Sequence, residues 1–137
     1  MKQKSKNCCV VIPIYKNTPT FSEEQSLIRA LDILGNYKFY FVCSGSFDPS
    51  YYINLVEEYD NLNISIKTFG DFYFSSIQGY NKLLISTIFY KKFIDFDYLL
   101  IYQLDAWVFK DELDFWCSLN FDLVLYFLYM EKIQQIF

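Results

Sequence analysis

The chain has 137 residues, of which 53% are hydrophobic and 22% aromatic, so it can fill the core of one domain, or part of one, and intrinsic disorder is excluded. The formal net charge is −4 and there is a single arginine, Arg29. Because binding to a phosphate backbone needs clustered positive charge, we expect no nucleic-acid partner. The chain contains no histidine, which excludes Ser-His-Asp catalysis and any zinc site that needs imidazole.

The cysteines and the N-terminal segment indicate in which cellular compartment we expect the protein. The four cysteines form no Cys-x-x-Cys pair, and two are adjacent, which is the wrong geometry for a mutual disulfide. We expect buried, reduced thiols and a cytoplasmic setting. The segment after the basic N-terminus contains Pro13 and no small-residue cleavage site, which favours a strand over a signal peptide. No apolar run approaches the roughly 18 residues of a membrane span, so we expect a protein that is soluble or peripheral to the inner face of the membrane.

Strand-like apolar runs alternate with helical patterns along the chain. Strands that are apolar on both faces and alternate with helices predict a three-layer α/β fold with an open, mostly parallel sheet. Ser22 is the expected N-cap of the first helix, because two glutamates follow it in the first turn. In chain order we predict strand Cys8–Tyr15, helix Ser22–Gly35, strand Lys38–Cys43, helix Pro49–Tyr59, strand Asn63–Phe69, helix Ser76–Phe93, strand Asp97–Leu104 and a turn with a short helix over Lys110–Cys117.

Polar clusters follow the ends of all four predicted strands. Ligands on open parallel sheets bind beyond the carboxyl ends of the strands, so we expect any site to lie there. The clusters are Tyr15–Asn17, Ser44–Ser46, Phe69–Asp71 and Gln103–Asp105.

Asp105 comes directly after the fourth predicted strand. A carboxylate in that position costs desolvation free energy unless it meets a cation or hydrogen-bond donors. A divalent metal that neutralises a diphosphate would satisfy it, and so would the capping of a helix. Gln103 adds an amide one side-chain period away, on the same face of the predicted strand.

Three further side chains are candidates, each with an ordinary alternative. Asn81 and Lys82 follow Gly79 early in the third helix and could reach a base or a phosphate, or they could be ordinary polar side chains exposed to solvent. Asp71 could bind a base or a ribose hydroxyl, or be an ordinary loop carboxylate. No Gly-x-Gly-x-x-Gly or Walker-type loop occurs, which excludes the usual dinucleotide and P-loop sites.

Two segments resemble glycosyltransferases. VIPIYK, residues Val11–Lys16, resembles the opening strand of family-2-like glycosyltransferases of the GT-A fold. LLIYQLDAWVF, residues Leu99–Phe109, is similar to an uncharacterised bacterial domain family grouped with the glycosyltransferases, in which an x-x-Asp-Ala/Ser-aromatic segment stands where others have Asp-x-Asp. The resemblance covers roughly residues 8–122 and continues through Asp111, Leu113, Trp116 and Cys117.

This resemblance implies a Rossmann-like, GT-A-type domain that binds a nucleotide-diphosphate sugar and passes the sugar to a glycan or a lipid-linked acceptor. It implies that Asp105 holds the diphosphate or a divalent metal, Mn²⁺ or Mg²⁺, with Gln103 assisting. It also implies that Tyr15, Asp71 and Asn81 lie near the nucleotide. The chain departs from the family pattern at the first metal ligand, where Gln103 replaces an aspartate.

The resemblance stops at Asp122, where the family continues with a Gly-Ala-containing segment and an acceptor region. A shifted reading frame would restore a Gly-Ala pair, so we expect residues 1–122 to be the N-terminal part of a truncated domain and residues 123–137 to be a frameshifted tail. A native tail is the alternative. No catalytic base can be assigned, so we expect no activity from such a chain. A non-catalytic α/β nucleotide-binding or interaction module and an inactive pseudogene product stay open.

Overall fold

The computed structural model of the protein describes residues 7–120. The predicted alternation of strands and helices is confirmed within that range. The elements are β1 (Cys8–Pro13), α1 (Phe21–Leu34), β2 (Lys38–Ser44), α2 (Ser50–Glu57), β3 (Ile64–Phe69), a 3-10 helix η1 (Asp71–Phe74), α3 (Ile77–Leu84), α4 (Thr87–Lys91), β4 (Tyr98–Ile101) and α5 (Leu113–Ser118). The predicted boundary at residue 122 and the frameshift prediction for residues 123–137 lie outside the described residues.

The described strands form one parallel sheet in the order β3-β2-β1-β4. In register, Val10 of β1 lies opposite Phe39 of β2 on one side and Leu100 of β4 on the other. All six residues of β1 are buried, as expected of a strand that is covered on both faces. The predicted α/β class with a mostly parallel sheet is therefore confirmed, and the strand order is that of a Rossmann-like sheet.

Two hydrophobic cores lie on opposite faces of the sheet, so the fold has three layers. Val10 and Ile12 of β1 belong to the core that the helices α1, α2 and α5 cover. Cys9 and Val11, which alternate with them along the strand, belong to the core that α3, α4 and Phe93 cover. The period-two alternation of the strand thus assigns each helix to one face.

Helix α1 begins two residues earlier than predicted, because Thr20 and not Ser22 is its N-cap. The Thr20 side chain accepts a hydrogen bond from Glu23 N at 3.3 Å, and Glu23 Oε2 accepts one from Thr20 N at 2.8 Å. This capping box satisfies two backbone donors at the helix start. The Thr-x-x-Glu spacing carries that signal, and the prediction of Ser22 was wrong.

The single helix predicted over Ser76–Phe93 is wrong, because the segment forms two helices. Ser86 Oγ donates to Leu83 O at 2.7 Å at the end of α3 and accepts from Phe89 N at 3.4 Å at the start of α4. A serine that bonds to the backbone in this way caps a helix and competes with its continuation. Apolar residues at positions 77, 80, 84 and 88 keep helical spacing across the break, whereas Leu83 and Phe89 are the core residues on either side of it.

Strand β4 ends at Ile101, three residues earlier than predicted. Beyond it, Tyr102 N donates to Val11 O at 2.8 Å, and Ala106 N donates to Gln103 O at 2.9 Å, which closes a turn. Gln103 and Asp105 therefore lie in a turn and not on one face of a strand. The turn still leaves the sheet at its carboxyl edge, which is where the site was predicted.

All four cysteines are buried and free, as predicted. Burial raises the pKa of the Cys9 thiol to about 12 and raises the pKa of the Cys8 thiol well above its ordinary value. Across residues 7–120, no helix combines the length and the apolarity that a membrane crossing requires.

Candidate functional site

A cavity of about 520 Å³ opens at the carboxyl ends of β1 and β4. These are the two neighbouring strands at which the chain order of the sheet reverses, because β2 and β3 lie on one side of β1 and β4 lies on the other. Ligands of open α/β sheets bind in the crevice at such a switch point. The cavity walls come from residues 13–16, Glu23, Tyr52, residues 74–77, Tyr80, Asn81 and residues 103–105.

Four of the five residues predicted from the sequence line this cavity. Tyr15 lies on the wall after β1, Asn81 is on α3, and Gln103 and Asp105 are on the turn after β4. Asp71 is not part of the lining, and its Oδ1 accepts a hydrogen bond from Ser46 N at 3.3 Å. Asp71 thus joins the ends of β2 and β3, while the other four converge at the switch point.

Gln103 contacts the helix on the far wall. Its Nε2 donates to the Tyr80 hydroxyl across 3.4 Å, so the turn after β4 and helix α3 meet at the cavity. Burial raises the pKa of Tyr80 to about 12. The hydroxyl is therefore protonated at neutral pH, and it can donate to a ligand while it accepts from Gln103.

An ion pair between Lys16 and Glu23 lies in the cavity wall, with Nζ and Oε1 2.7 Å apart. The hydrogen bond from Lys16, together with the one from Thr20 N, lowers the pKa of Glu23, and the same contact raises the pKa of Lys16. Both groups are charged at neutral pH. Glu23 is held by two donors and is a weak base in this state.

A hydrogen bond from Tyr52 holds the backbone just after β1 in place. Its hydroxyl donates to Lys16 O at 2.8 Å, and the side chain is fully buried against Phe41 and Phe47. Burial raises the pKa of Tyr52 to about 12, so it stays a donor. This bond holds the backbone of Tyr15 and Lys16 where their side chains face the cavity.

The turn after β4 is held by helix α1. Ser26 Oγ donates to Ala106 O at 2.5 Å and lies 2.7 Å from the Tyr102 hydroxyl. One turn further along the helix, Arg29 Nε donates to Val108 O at 3.0 Å and Arg29 Nη2 donates to Phe109 O at 2.9 Å. These bonds satisfy carbonyls of a segment that has no strand or helix partners of its own. They hold the segment that directly follows Asp105 against helix α1.

The charges of the lining decide which ligands it can hold. Lys16 and Glu23 form an ion pair, and together with the Asp105 carboxylate the formal charges of the lining residues sum to −1. A bare diphosphate would meet a negative wall, whereas a diphosphate that carries a divalent cation would not. Mg²⁺ is commonly bound through one or two carboxylates together with substrate phosphates and waters.

The donor set therefore fits a metal that enters with a diphosphate. Asp105 supplies one carboxylate, and the carbonyl oxygen of Gln103 is a neutral donor of the kind such ions accept. Within residues 7–120, no three acidic or cysteine side chains cluster to hold a metal by themselves.

Sequence reasoning missed part of the lining. Lys16 was in the polar cluster after β1 but was not chosen, and Glu23 was assigned only to a helix start. Tyr80 lies beside Asn81 in the chain but was not among the predicted site residues. The signal for Glu23 was its place in the Thr-x-x-Glu capping box, which puts its side chain at the helix start that faces the end of β1.

One family model matches the chain, over residues 63–125, and its description is "Protein of unknown function (DUF5672)". The match begins beside β3 and includes the turn that carries Gln103 and Asp105, while β1, α1, β2 and α2 lie before it. It covers less than half of the chain. No curated protein and no solved structure matches the chain.

Proposed function

We propose that the cavity between β1 and β4 binds a nucleotide-diphosphate sugar and that the protein is a GT-A-type glycosyltransferase or the donor-binding part of one. The acceptor would be a glycan or a lipid-linked sugar. The observation that carries this proposal is the position of Asp105 and Gln103. They lie on one wall of an approximately 520 Å³ cavity at the topological switch point, with Tyr15 and Asn81 on the facing walls.

The lining divides into a wall for a diphosphate and a wall for a nucleoside. Asp105 and Gln103 face the diphosphate through its cation. Tyr15 is 64% exposed at the rim and offers a ring on which a base can stack. The Asn81 amide can both donate and accept, as the edge of a base requires. Asp71, outside the lining, would reach the nucleotide only if the ligand extends toward the end of β3.

In such a transfer the bond between the sugar carbon and the diphosphate oxygen breaks, the oxygen of the acceptor hydroxyl forms a new bond to the same carbon, and the proton of that hydroxyl passes to a base or to the leaving diphosphate. A divalent cation, when bound, would supply charge neutralisation of the leaving diphosphate. Asp105 would hold that charge at the switch point, and Lys16 could exchange its contact with Glu23 for a phosphate oxygen. The Tyr80 hydroxyl is protonated and could donate to the leaving group.

A second candidate is a nucleotide-binding module without catalysis. The lining contains two carboxylates, Glu23 and Asp105. Glu23 is engaged by Lys16 and Thr20 N, which lowers its pKa and weakens it as a base, and Asp105 is assigned to the diphosphate. No third carboxylate lines the described cavity to deprotonate an acceptor. This observation favours binding without turnover by this chain.

The test is calorimetric titration of the full chain with UDP, GDP, CDP and dTDP, each with and without Mg²⁺ or Mn²⁺. We expect at least one diphosphate to bind and its affinity to rise with the metal. Asp105→Asn should weaken that binding at least tenfold, because it removes the carboxylate that would hold the cation of the diphosphate. Asp60→Asn, the same change at an exposed turn outside the cavity, should leave the affinity unchanged.

The results of this titration distinguish the glycosyltransferase from the binding module and test the role of Asp105. No heat with any diphosphate, with or without metal, overturns the donor-site proposal. Binding without loss in Asp105→Asn overturns the role of Asp105. Binding without hydrolysis or transfer of the matching nucleotide sugar favours the binding module over the enzyme.

A further inference from the structure

The layer that covers one face of the sheet carries both positive charge and exposed isoleucines. We define the α3–α4 face as the outer surface of η1, α3, α4 and residues 92–94, with Lys67 of β3 at its margin. Its four lysines are Lys67, Lys82, Lys91 and Lys92, out of seven lysines among the described residues. Residues 71–94 contain a single carboxylate, Asp71, which is already bonded to Ser46 N, and the exposed Asp95 follows directly after the face.

None of these lysines is part of an ion pair in the described chain, where the two ion pairs involve other residues. Three of them instead lie along aromatic rings. Lys92 Nζ is 4.1 Å from the centroid of Phe69, Lys82 Nζ is 5.5 Å from that of Phe72, and Lys67 Nζ is 5.9 Å from that of Phe93. The ammonium groups themselves lie over these rings, and Lys92 Nζ also donates a hydrogen bond to Thr68 O.

Four isoleucines project from the same layer into solvent. Ile85 is 83% exposed and Ile94 is 78% exposed, while Ile77 and Ile88 are more than half exposed. Single exposed apolar residues are ordinary on protein surfaces. Four exposed isoleucines within a few helical turns, among lysines that form no ion pair in the described chain, are unusual. The buried positions of this layer, Leu83, Phe89 and Phe93, are separate from them and already fill the core.

The opposite layer has the reverse charge. Helices α1, α2 and α5 carry Glu24, Asp32, Glu57 and Asp114 on their exposed or half-buried positions. Among the described residues, acidic side chains therefore outnumber basic ones on helices α1, α2 and α5, whereas lysines outnumber carboxylates on the α3–α4 face. Such an asymmetry orients a protein in the field of a negatively charged surface.

We propose that the α3–α4 face binds an anionic lipid bilayer. Lysines that attract anionic headgroups, together with isoleucines that enter the interface, are the combination that holds peripheral proteins on such membranes. A second copy of the chain fits less well, because a two-fold contact would bring the four lysines of each copy against one another. A nucleic acid would use the lysines but leave the four isoleucines without a partner.

This surface is continuous with the cavity. Ile77 both lines the cavity and projects at the face, and Asn81 on the next turn of α3 is also in the lining. A membrane bound to this face would lie beside the cavity rim. If the proposed function is correct, and on that condition alone, a lipid-linked acceptor could reach the donor without leaving the bilayer.

The test is sedimentation of the full chain with vesicles of phosphatidylcholine alone or with about one-third phosphatidylglycerol. We expect binding to the anionic vesicles only, and release when NaCl rises from about 0.05 to 0.5 M, because the screening length shortens about threefold. Each lysine near an anionic surface contributes about fivefold in partition coefficient. Lys91→Gln with Lys92→Gln should therefore lower the partition coefficient about 25-fold.

Matched variants distinguish this face from the rest of the surface. Lys110→Gln, on the α5 side, should change the partition coefficient little. Ile94→Ser should weaken binding, whereas Phe21→Ser, an equally exposed apolar side chain at the start of α1, should not. Circular dichroism and urea unfolding of each variant establish that the fold is kept, so that a lost interaction is not lost structure.

Several results would overturn the proposal. They are absence of binding to anionic vesicles at low salt, equal losses in Lys110→Gln and in the Lys91 and Lys92 variant, or concentration-dependent dimerisation that Ile94→Ser abolishes. The last result would assign the face to a second copy. Asp105→Asn should leave vesicle binding unchanged, and the Lys91 and Lys92 variant should leave nucleotide binding unchanged. Failure of one proposal is thus distinguishable from failure of the other.

Discussion

Ser26 Oγ lies 2.7 Å from the hydroxyl of Tyr102, a residue 76 positions further along the chain. Ser26 is the one buried polar side chain among the described core residues, and it also donates to Ala106 O. The three groups form a small polar cluster within an apolar layer, between α1 and the turn that carries Asp105. Buried clusters of this kind stabilise a structure only when every member is satisfied.

Ser26→Ala should therefore lower the free energy of unfolding by about 1 kcal/mol, within a range of about 1–3 kcal/mol for an unsatisfied buried partner. The lower end is expected because the Tyr102 hydroxyl keeps Ala106 O within 3.2 Å. Urea unfolding followed by tryptophan fluorescence measures the change. Ser118→Ala, at an exposed serine that bonds within its own helix, is the control and should cost less than about 0.5 kcal/mol. An equal loss of unfolding free energy in Ser26→Ala and Ser118→Ala would contradict a stabilising role for the buried polar cluster.

Gly79→Ala should destabilise the protein, although alanine is normally favoured over glycine inside a helix by about 1 kcal/mol. A Cβ at position 79 would lie 2.5 Å from Phe72 O and 3.3 Å from Tyr73 Cα, so η1 would have to move away from α3. We expect a net loss of about 1–3 kcal/mol, as for other overpacked sites. Thermal unfolding of the variant measures it.

Gly45→Ala is the matched control for that experiment. No atom lies within 4 Å of a Cβ at position 45, and its φ is not positive. This change should therefore be neutral or slightly stabilising through the unfolded state. A Gly79→Ala protein as stable as Gly45→Ala would show that η1 and α3 do not pack as described.

The ion pair of Lys16 and Glu23 makes a pH-dependent contribution to stability. The pKa of Glu23 is lower in the folded protein than its ordinary value of 4.5, so protons bind the unfolded state more readily. The contribution is therefore present above about pH 4.5 and is lost as the pH falls through the lowered pKa. Glu23→Gln should show a smaller loss of stability on acidification than the parent protein.

Glutamine can keep the capping-box hydrogen bond with Thr20 N, so Glu23→Gln removes the charge of the side chain without removing the cap of α1. Melting temperatures of both proteins between about pH 3 and pH 7 provide the comparison. The two curves should converge toward the acidic end. If the melting temperatures of the two proteins differ by the same amount at every pH, the Lys16–Glu23 contact makes no pH-dependent contribution to stability.

The cysteines should resist thiol reagents in the folded protein. All four are buried, and the pKa of Cys9 is raised to about 12, so thiolate is scarce at neutral pH. We expect no reaction with a disulfide reagent at about pH 8 within minutes in buffer, and four thiols per chain in denaturant. Rapid reaction of even one thiol in buffer would contradict the burial of that position.

The sequence predicted the sheet well because its strands are buried on both faces and leave nearly continuous apolar runs. It missed the break between α3 and α4 because apolar residues at positions 77, 80, 84 and 88 keep helical spacing across Ser86, so apolar spacing alone cannot reveal the cap. Strand ends were overestimated because Tyr102 and Leu104 remain apolar after the ladder of β4 has ended.

The site was predicted to the correct edge of the sheet but not in full. The rule that ligands lie beyond carboxyl strand ends selects Tyr15, Gln103 and Asp105 without any three-dimensional information. It does not reveal that Asp71 stays at the end of β3, since that depends on which strands are neighbours. The contacts of Ser26 and Arg29 with the turn after β4 join parts of the chain about eighty residues apart, and no local pattern encodes them.

The same separation has a consequence for how the protein folds. Strand β1 pairs with β2 through a connection of about 25 residues, but its other neighbour, β4, begins about 85 residues after it ends. Closing the longer loop costs more chain entropy, and pairings of large sequence separation form slowly. The part of the sheet formed by β1, β2 and β3 can therefore assemble before β4 pairs with β1. The cavity, whose walls belong to both β1 and β4, comes into existence only in the last step, so a chain that has not completed folding has no site to bind with.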